Sequence, residues 1–168
     1  MLYVEVNVPQ GCLPLAERRR LATALTAGGL LDDDGDVNPG VLALYQSLTH
    51  VVVRENDVWV AGGRLAVAAG RPRYLVTVHV GEWAKDLAGH LVAAITRRIE
   101  DFDGDSDAMR FGGRCLVYVV GVPDGRYGAY GEVLTTEGFA ELAEDARTGT
   151  PDHVPDTITE RRPVALLA

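Results

Sequence analysis

The sequence predicts an α+β fold in which two strand-helix-strand repeats share one four-stranded mixed sheet, with two helices on one face. Residues 3–8 and 75–80 show the same alternation of apolar and mostly polar side chains, 72 positions apart. This alternation is typical of a half-buried strand. Each strand precedes a stretch with helical spacing and then a second apolar run. Matching glycine-rich turn segments follow in both halves, at an offset of 68.

The first repeat is predicted to continue from its strand into a helix. Pro14 suits the start of a helix, because its fixed backbone angle is helical and its missing N–H has no partner there. Leu21 and Leu25 lie four residues apart and therefore share one helical face. Gly28 and Gly29 are predicted to end this helix.

The second repeat follows the same order. Its helix is predicted from apolar residues at intervals of four, which are Leu87, Leu91, Ile95 and Ile99. The apolar runs 48–53 and 116–120 are predicted to be the second strands of the two repeats. When the turn segments that follow these runs are aligned, Trp59 corresponds to Tyr127, and each segment ends at a glycine.

The two repeats are expected to form one domain. A unit of roughly 65 residues buries too little apolar surface to be stable alone, so the halves must share a sheet. A right-handed crossover in each gives two parallel strand pairs, with both helices on one face. We therefore expect one domain over residues 1–147, made of repeats 1–71 and 72–147. Residues 148–168 are expected to form an extended arm with an apolar tip.

The sheet face without helices is expected to be covered by other copies of the chain. It would carry five side chains of the inner strands, which are Tyr3, Glu5, Asn7, Thr77 and His79. Symmetric association covers the same face on every subunit, so a homo-oligomer is the simplest expectation.

Composition narrows the possible partners and the location. Sixteen basic and 24 acidic residues give a net charge of −8, which repels a phosphate backbone, so no nucleic-acid partner is expected. No segment approaches the roughly 20 apolar residues of a membrane helix, and the N-terminus does not resemble a signal peptide. We expect a protein of the cytoplasm without membrane contact. Cys12 and Cys115 are expected to be free thiols there.

Two acidic segments are expected to be solvated. The polar segment 32–40 is typical of a turn region. After the second helix, carboxylates alternate at Asp101, Asp103, Asp105 and Asp107, a spacing that can surround a hard cation. The EF-hand pattern nevertheless fails, because its glycine position holds Ser106 and its closing glutamate position holds Gly112. We expect neither a metal nor a cofactor.

Several segments in this order resemble the tautomerase superfamily, in the fused-repeat branch that includes the cis-3-chloroacrylic acid dehalogenase family. The resemblance covers roughly residues 2–135 and rests on 22–26, 59–63, 86–91, 116–118 and 130–131, together with Pro123. It implies the α+β fold of tautomerases and macrophage migration inhibitory factor, assembled as a homotrimer.

Members of this family use an amino-terminal proline as a general base or acid. The resemblance places Leu2 where that proline stands, after an initial Met1. We expect Met1 to be retained before a residue as large as leucine. Its primary amine, with an ordinary pKa of about 7.7–8.0, can still transfer a proton. It lies one residue further out than the proline nitrogen, and such a displacement can cost orders of magnitude in rate.

The other functional positions of the dehalogenase branch also differ. The resemblance places a histidine on Gly29, two substrate-holding arginines on Val80 and Trp83, and a water-activating glutamate on Ala129. Its tyrosine alone is matched, at Tyr118. We therefore expect no dehalogenation of cis-3-chloroacrylate.

These differences predict an apolar pocket with an aromatic wall, which suits a larger and less charged ligand. Its expected lining residues are Leu2, Gly29, Val80, Trp83, Arg126 and Ala129. The expected catalytic groups are Tyr118 and the Met1 amine.

Three functions remain open at this point. The first is a diverged enzyme that carries out proton transfer, cyclisation or lyase chemistry on an enol or carbonyl compound. The second is a module that binds a small molecule without converting it. The third is a catalytically silent scaffold, such as the inactive partner of a proline-bearing paralogue in a mixed trimer.

Overall fold

The computed structural model describes residues 2–31, 36–61, 63–65, 73–104, 113–129 and 131–149. Four long strands form the main sheet: β1 (Leu2–Pro9), β2 (Thr49–Asn56), β5 (Tyr74–Gly81) and β6 (Cys115–Val122). Two hairpins add β3 (Val60–Ala61) with β4 (Arg64–Leu65), and β7 (Gly128–Ala129) with β8 (Glu132–Val133). The helices are α1 (Leu15–Ala24), α2 (Ala27–Leu31), α3 (Pro39–Ser47), a 3-10 helix (Glu82–Leu87), α4 (Ala88–Asp103) and α5 (Thr136–Thr148).

The main sheet has the predicted mixed topology. Its strand order is β2-β1-β5-β6, with β1 parallel to β2, β5 parallel to β6, and β1 antiparallel to β5. Each repeat therefore supplies one inner strand and one edge strand. The predicted fold class, tandem β-α-β repeats in a four-stranded mixed sheet, is confirmed.

The internal repeat holds in residue-level detail. β1 and β5 begin 72 positions apart and have the same alternation of buried and half-buried side chains. The two hairpins lie 68 positions apart, and their turns contain Gly63 and Gly131. Both glycines have positive φ, 74° and 81°, a conformation that other residues rarely adopt.

The hydrophobic core lies between the sheet and the helices. One face of β1 and β5 supplies the core through alternate residues, among them Val4, Val6, Val76 and Val78. Helices α1, α2 and α4, together with Leu25 directly after α1, supply the opposite side, and their core residues are Leu21, Leu30, Leu91, Ile95 and Ile99. All of these side chains are fully buried. Among the described residues, no helix has both the length and the apolar character needed to cross a membrane.

The prediction that Gly28 and Gly29 end the first helix is wrong. Helix α1 ends at Ala24, and both glycines lie in the short helix α2. A side chain on Gly29 would overlap the carbonyl oxygen of Ala24. Glycine at this position thus allows α2 to follow α1 closely.

The prediction of a simple turn over residues 32–40 is also wrong at its end, because α3 begins at Pro39. The Asn38 side chain accepts hydrogen bonds from the backbone N–H groups of Gly40 and Val41, at 3.0 and 3.3 Å. An asparagine cap followed by proline is a strong helix start. Residues 32–35 lie outside the described residues.

Candidate active site

The end of the sheet where β1 begins is the centre of the candidate site. Leu2 pairs with Val80 of β5 and with Thr49 of β2, and both Leu2 and Val80 are buried. The sheet register thus joins two predicted lining residues. Met1, the predicted proton-transfer group, lies outside the described residues.

A group of aromatic side chains, called here the aromatic cluster, packs at the same end of the sheet. It consists of Tyr45, Trp83, Tyr127 and Phe139. Trp83 follows β5 by two residues, and Phe139 stacks on its ring with 4.7 Å between ring centroids. Tyr127 meets Trp83 edge-on at 5.8 Å, and Tyr45 meets Phe139 edge-on at 5.3 Å. Stacked and edge-on pairs are the arrangements that aromatic rings prefer.

Aliphatic residues complete the surroundings of the aromatic cluster. Leu48, which precedes the β2 residue that pairs with Leu2, is buried against it, as is Leu134. Ala129 of β7 packs against the same group. Trp83 also contacts the main core that contains Leu2 and Val80. Leu2, Val80, Trp83 and Ala129 therefore belong to one continuous apolar region.

Gly81 makes the position of the Trp83 ring possible. Its φ of −66° is open to any residue, so conformation does not require a glycine here. Space does, because a Cβ atom on Gly81 would overlap the six-membered part of the Trp83 indole. The indole therefore lies directly over the end of β5.

Helix α5 delivers Phe139 to the aromatic cluster. Thr135 caps the helix by accepting a hydrogen bond from the N–H of Gly138 at 3.1 Å. The carboxylate of Asp124 accepts another from the N–H of Thr136 at 2.7 Å. Phe139 is the one side chain of α5 that the structure describes as buried. Phe139 is not among the residues predicted for the site, although a threonine cap and Phe139, Leu142 and Ala143 at helical spacing indicate a helix here.

Two predicted lining residues lie apart from the aromatic cluster. The carbonyl of Gly29 accepts a hydrogen bond from Arg98 Nε at 2.7 Å, which directs this part of α2 towards α4. Arg126 is exposed in the turn before Tyr127. Neither is among the residues packed around Trp83 and Phe139.

Tyr118 lies on the opposite face of the sheet from Leu2 and Val80. It is in register with Thr77 on β5, and Thr77 is in register with Glu5 on β1. This row belongs to the face without helices, where the Tyr118 side chain is 55% exposed. Within one chain, Tyr118 is therefore separated from the aromatic cluster by the sheet.

Glu5 organises the polar side chains of that open face. Its carboxylate accepts hydrogen bonds from Asn7 at 3.0 Å and from Tyr3 at 3.2 Å, and Arg54 lies 3.9 Å away. The Asn7 hydrogen bond, helped by the nearby positive charge of Arg54, lowers the pKa of Glu5. The rings of Tyr3 and His79 lie 5.6 Å apart. The face is thus polar in its centre and apolar along β6, where Leu116 and Val120 are exposed.

A second polar group lies between α4 and the starts of β5 and β6. Asp103 and Arg114 form an ion pair at 3.3 Å, with side chains only 6% and 10% exposed. Tyr74 donates a hydrogen bond to Asp103 at 3.2 Å, and burial raises the pKa of Tyr74. Burial also raises the pKa of the Cys115 thiol to about 11. The ion pair and the Tyr74 hydrogen bond fix the end of α4.

Among the described residues, no cluster of potential metal ligands occurs. Asp105 and Asp107 lie outside them.

These features define the fold class of the protein: the chain has the fold of the tautomerase superfamily, as the sequence resemblance implied. No protein-family model matches the sequence, and no curated protein matches it.

Three solved structures illustrate the likeness. Pt0534 inactivated by 2-oxo-3-pentynoate is 16% identical, with a TM-score of 0.58 over 82% of this chain and 98% of that chain. The R7 fused 4-OT, a wild-type asymmetric trimer, is also 16% identical, with a TM-score of 0.57 and the same coverage. N1, a member of the cis-3-chloroacrylic acid dehalogenase family, is 22% identical, with a TM-score of 0.55 over 86% of this chain and 97% of that chain.

Proposed function

We propose that this protein is a diverged enzyme of the tautomerase superfamily, working in the cytoplasm on an enol or carbonyl compound. The observation that carries the proposal is the continuous apolar region around Leu2, Val80, Trp83 and Ala129 at the start of β1. Such surroundings favour an uncharged or weakly charged ligand with an aromatic or other planar body. Proton transfer, cyclisation and lyase chemistry all fit this ligand class.

The proposed proton carrier is the α-amino group of Met1, the residue that precedes Leu2. In a keto-enol interconversion the amine accepts the proton of the enol hydroxyl, and a proton is returned to the neighbouring carbon, so no atom is gained or lost. An amine with a pKa near 8 is partly neutral at physiological pH and can serve in both steps.

The proposed second group is Tyr118 of another subunit. Because Tyr118 lies on the open face, it can reach an aromatic cluster only if that cluster belongs to a neighbouring copy. A homotrimer built through the open face would provide this arrangement. The trimeric state of the R7 fused 4-OT supports a trimer for a chain of this fold.

A matched pair of variants tests the role of Tyr118. Purified protein is assayed with the enol of phenylpyruvate and with 2-hydroxymuconate. Tyr118→Phe should lower kcat about 100- to 10,000-fold, as removal of a general acid does. Tyr3→Phe, on the same face, should leave kcat within about twofold. Full activity of Tyr118→Phe would exclude the tyrosine, and a monomeric native mass would exclude a shared site.

The Met1 amine is tested with 2-oxo-3-pentynoate, the compound that inactivates Pt0534. An activated alkyne adds to a neutral amine, so mass spectrometry should find one adduct on the N-terminal peptide. Labelling should follow the titration of an amine with a pKa near 8. An adduct on Lys85 alone, or none, would contradict the proposal.

The second candidate is a silent subunit or a binding module. The packing of Phe139 on Trp83, which fills the sheet end with side chains of the chain itself, favours it. Leu2→Pro with methionine removed distinguishes the two. A gain of tautomerase activity would show that the site still accepts substrate, whereas no gain, together with assembly on a proline-bearing paralogue, would indicate the silent subunit.

A further inference from the structure

The indole N–H of Trp83 is a buried donor that finds no acceptor in the part of the chain that the structure describes. Its Nε1 atom makes no hydrogen bond with any of these residues, and the atom is buried. Most buried polar groups in proteins are hydrogen-bonded, and each exception therefore calls for a physical reason. Trp83 also lies in the apolar region at the start of β1, beside predicted lining residues.

The contacts of the ring hold this donor in a fixed direction. Phe139 stacks on the indole at 4.7 Å, Tyr127 meets it edge-on at 5.8 Å, and the absent side chain of Gly81 leaves room for its six-membered ring. An indole N–H lies in the ring plane, so fixing the plane fixes the donor. A preorganised single donor in apolar surroundings is typical of ligand recognition.

We propose that Trp83 determines ligand specificity by donating its Nε1–H to the keto oxygen of an aromatic carbonyl compound. This inference rests on the proposed ligand site at the start of β1. A neutral donor matches a neutral oxygen acceptor, and the aromatic cluster matches a planar body. Phe139 stacks on the indole and so positions the donor, but it does not itself bind the keto oxygen of the ligand.

The donor can be observed directly, because the chain contains two tryptophans, Trp59 and Trp83. Indole ¹⁵N–¹H resonances are recorded on the full-length protein during titration with phenylpyruvate. Trp83→Phe assigns the two signals. The Trp83 proton should move downfield by about 0.5 ppm or more as it gains an acceptor, while the Trp59 signal stays in place. A titration with 3-phenylpropanoate, which lacks the keto oxygen, should produce no such shift.

Affinity provides the second measurement. Trp83→Phe should weaken phenylpyruvate binding about tenfold, the usual contribution of one neutral hydrogen bond. Trp59→Phe is the matched control and should bind as the wild type does. Replacing Trp83 by 3-benzothienylalanine removes the N–H while keeping the ring shape. This analogue is used if Trp83→Phe fails to fold. It should cause the same tenfold loss of affinity for phenylpyruvate.

The outcomes separate this inference from the proposed function. If phenylpyruvate binds or is converted and the Trp83 variants match the wild type, the role of Trp83 is wrong and the proposed function stands. An equal shift with 3-phenylpropanoate, or a Trp83 proton that is already downfield and does not respond, also overturns the role. If the wild type neither binds nor converts phenylpyruvate, the proposed ligand class fails, and the role of Trp83 fails with it.

Discussion

Truncation of Phe139 should show how strongly α5 is coupled to the rest of the domain. Phe139 is buried and belongs to two aromatic pairs, with Trp83 and Tyr45. Each pair contributes about 0.5–1.5 kcal/mol beyond area burial, so Phe139→Leu, which keeps most of the volume, should cost about 1–3 kcal/mol. Phe139→Ala also creates a cavity and should cost about 3–5 kcal/mol. Urea unfolding followed by far-UV circular dichroism measures both.

Phe102→Leu is the matched control for this experiment. Phe102 is half-buried, and its ring interacts with the exposed Arg20, whose guanidinium lies 5.6 Å from the ring centre. A cation-π contact at an exposed site contributes about 0.5–1 kcal/mol, so this variant should lose no more than about 1 kcal/mol. The reasoning is refuted if Phe139→Ala costs less than about 1 kcal/mol, or if it unfolds α5 alone in a separate transition.

Three further outcomes are expected. Arg114→Met should lose about 3–5 kcal/mol in urea unfolding, because it leaves the buried carboxylate of Asp103 without its cation; Arg114→Met with Asp103→Asn should recover much of that loss, and an equal loss in the double variant would count against the ion pair. Cys115, with a pKa of about 11, is about 0.1% thiolate at pH 8. It should react more slowly with a disulfide reagent in the folded protein than in the unfolded one, and equally rapid labelling of both would contradict the raised pKa. The lowered folded pKa of Glu5 means that its contribution to stability is present above the unfolded value of about 4.3 and is lost as the pH falls through the folded value. Thermal unfolding from pH 7 to pH 3 should be less pH-dependent in Glu5→Gln, and identical profiles would show that Glu5 makes no such contribution.

The strands were predictable because their signal is local. The alternation of apolar and polar residues in 3–8 and 75–80 is visible in the sequence, and it corresponds to the alternating burial of side chains in β1 and β5. The paired turn glycines were equally visible, since Gly63 and Gly131 occupy corresponding hairpin turns with positive φ. Periodicity and turn chemistry depend on neighbouring residues alone.

Helices α3 and α5 were not predicted from the sequence, and the reasons differ. Residues 39–47 of α3 are mostly apolar and show no polar face, so hydrophobic periodicity gives no signal, and the Asn38-Pro39-Gly40 start of the helix is also typical of a turn. Helix α5 follows the region covered by the family resemblance, and Phe139 is its only described buried residue. Both helices depend on each other, because α3 packs against α5 so closely at Gly40 that a side chain there would overlap Ala146. The caps at Asn38 and Thr135 are local signals for the starts of these helices, whereas the contact between the two helices is not visible in the local sequence.

The candidate site depends less on local sequence than the strands do. The grouping of Leu2, Val80 and Trp83 as lining residues came from the family resemblance, which places three of its functional positions on them. Phe139 could not be included, since only the folded chain brings α5 over the end of β5. The unpartnered state of the Trp83 N–H is likewise a property of three-dimensional packing, because any tryptophan in a sequence carries the same donor.

The central position of β1 has a consequence during synthesis on the ribosome. β1 ends at Pro9, but its antiparallel neighbour β5 is complete only at Gly81, 72 residues later. At about 5–20 residues per second this interval lasts about 4–14 s. Throughout this interval one hydrogen-bonding edge of β1 lacks its partner strand. Unpaired strand edges of this kind can pair with other chains. The nascent first repeat is therefore expected to need a chaperone, and a chain stopped near residue 72 should be found in the insoluble fraction.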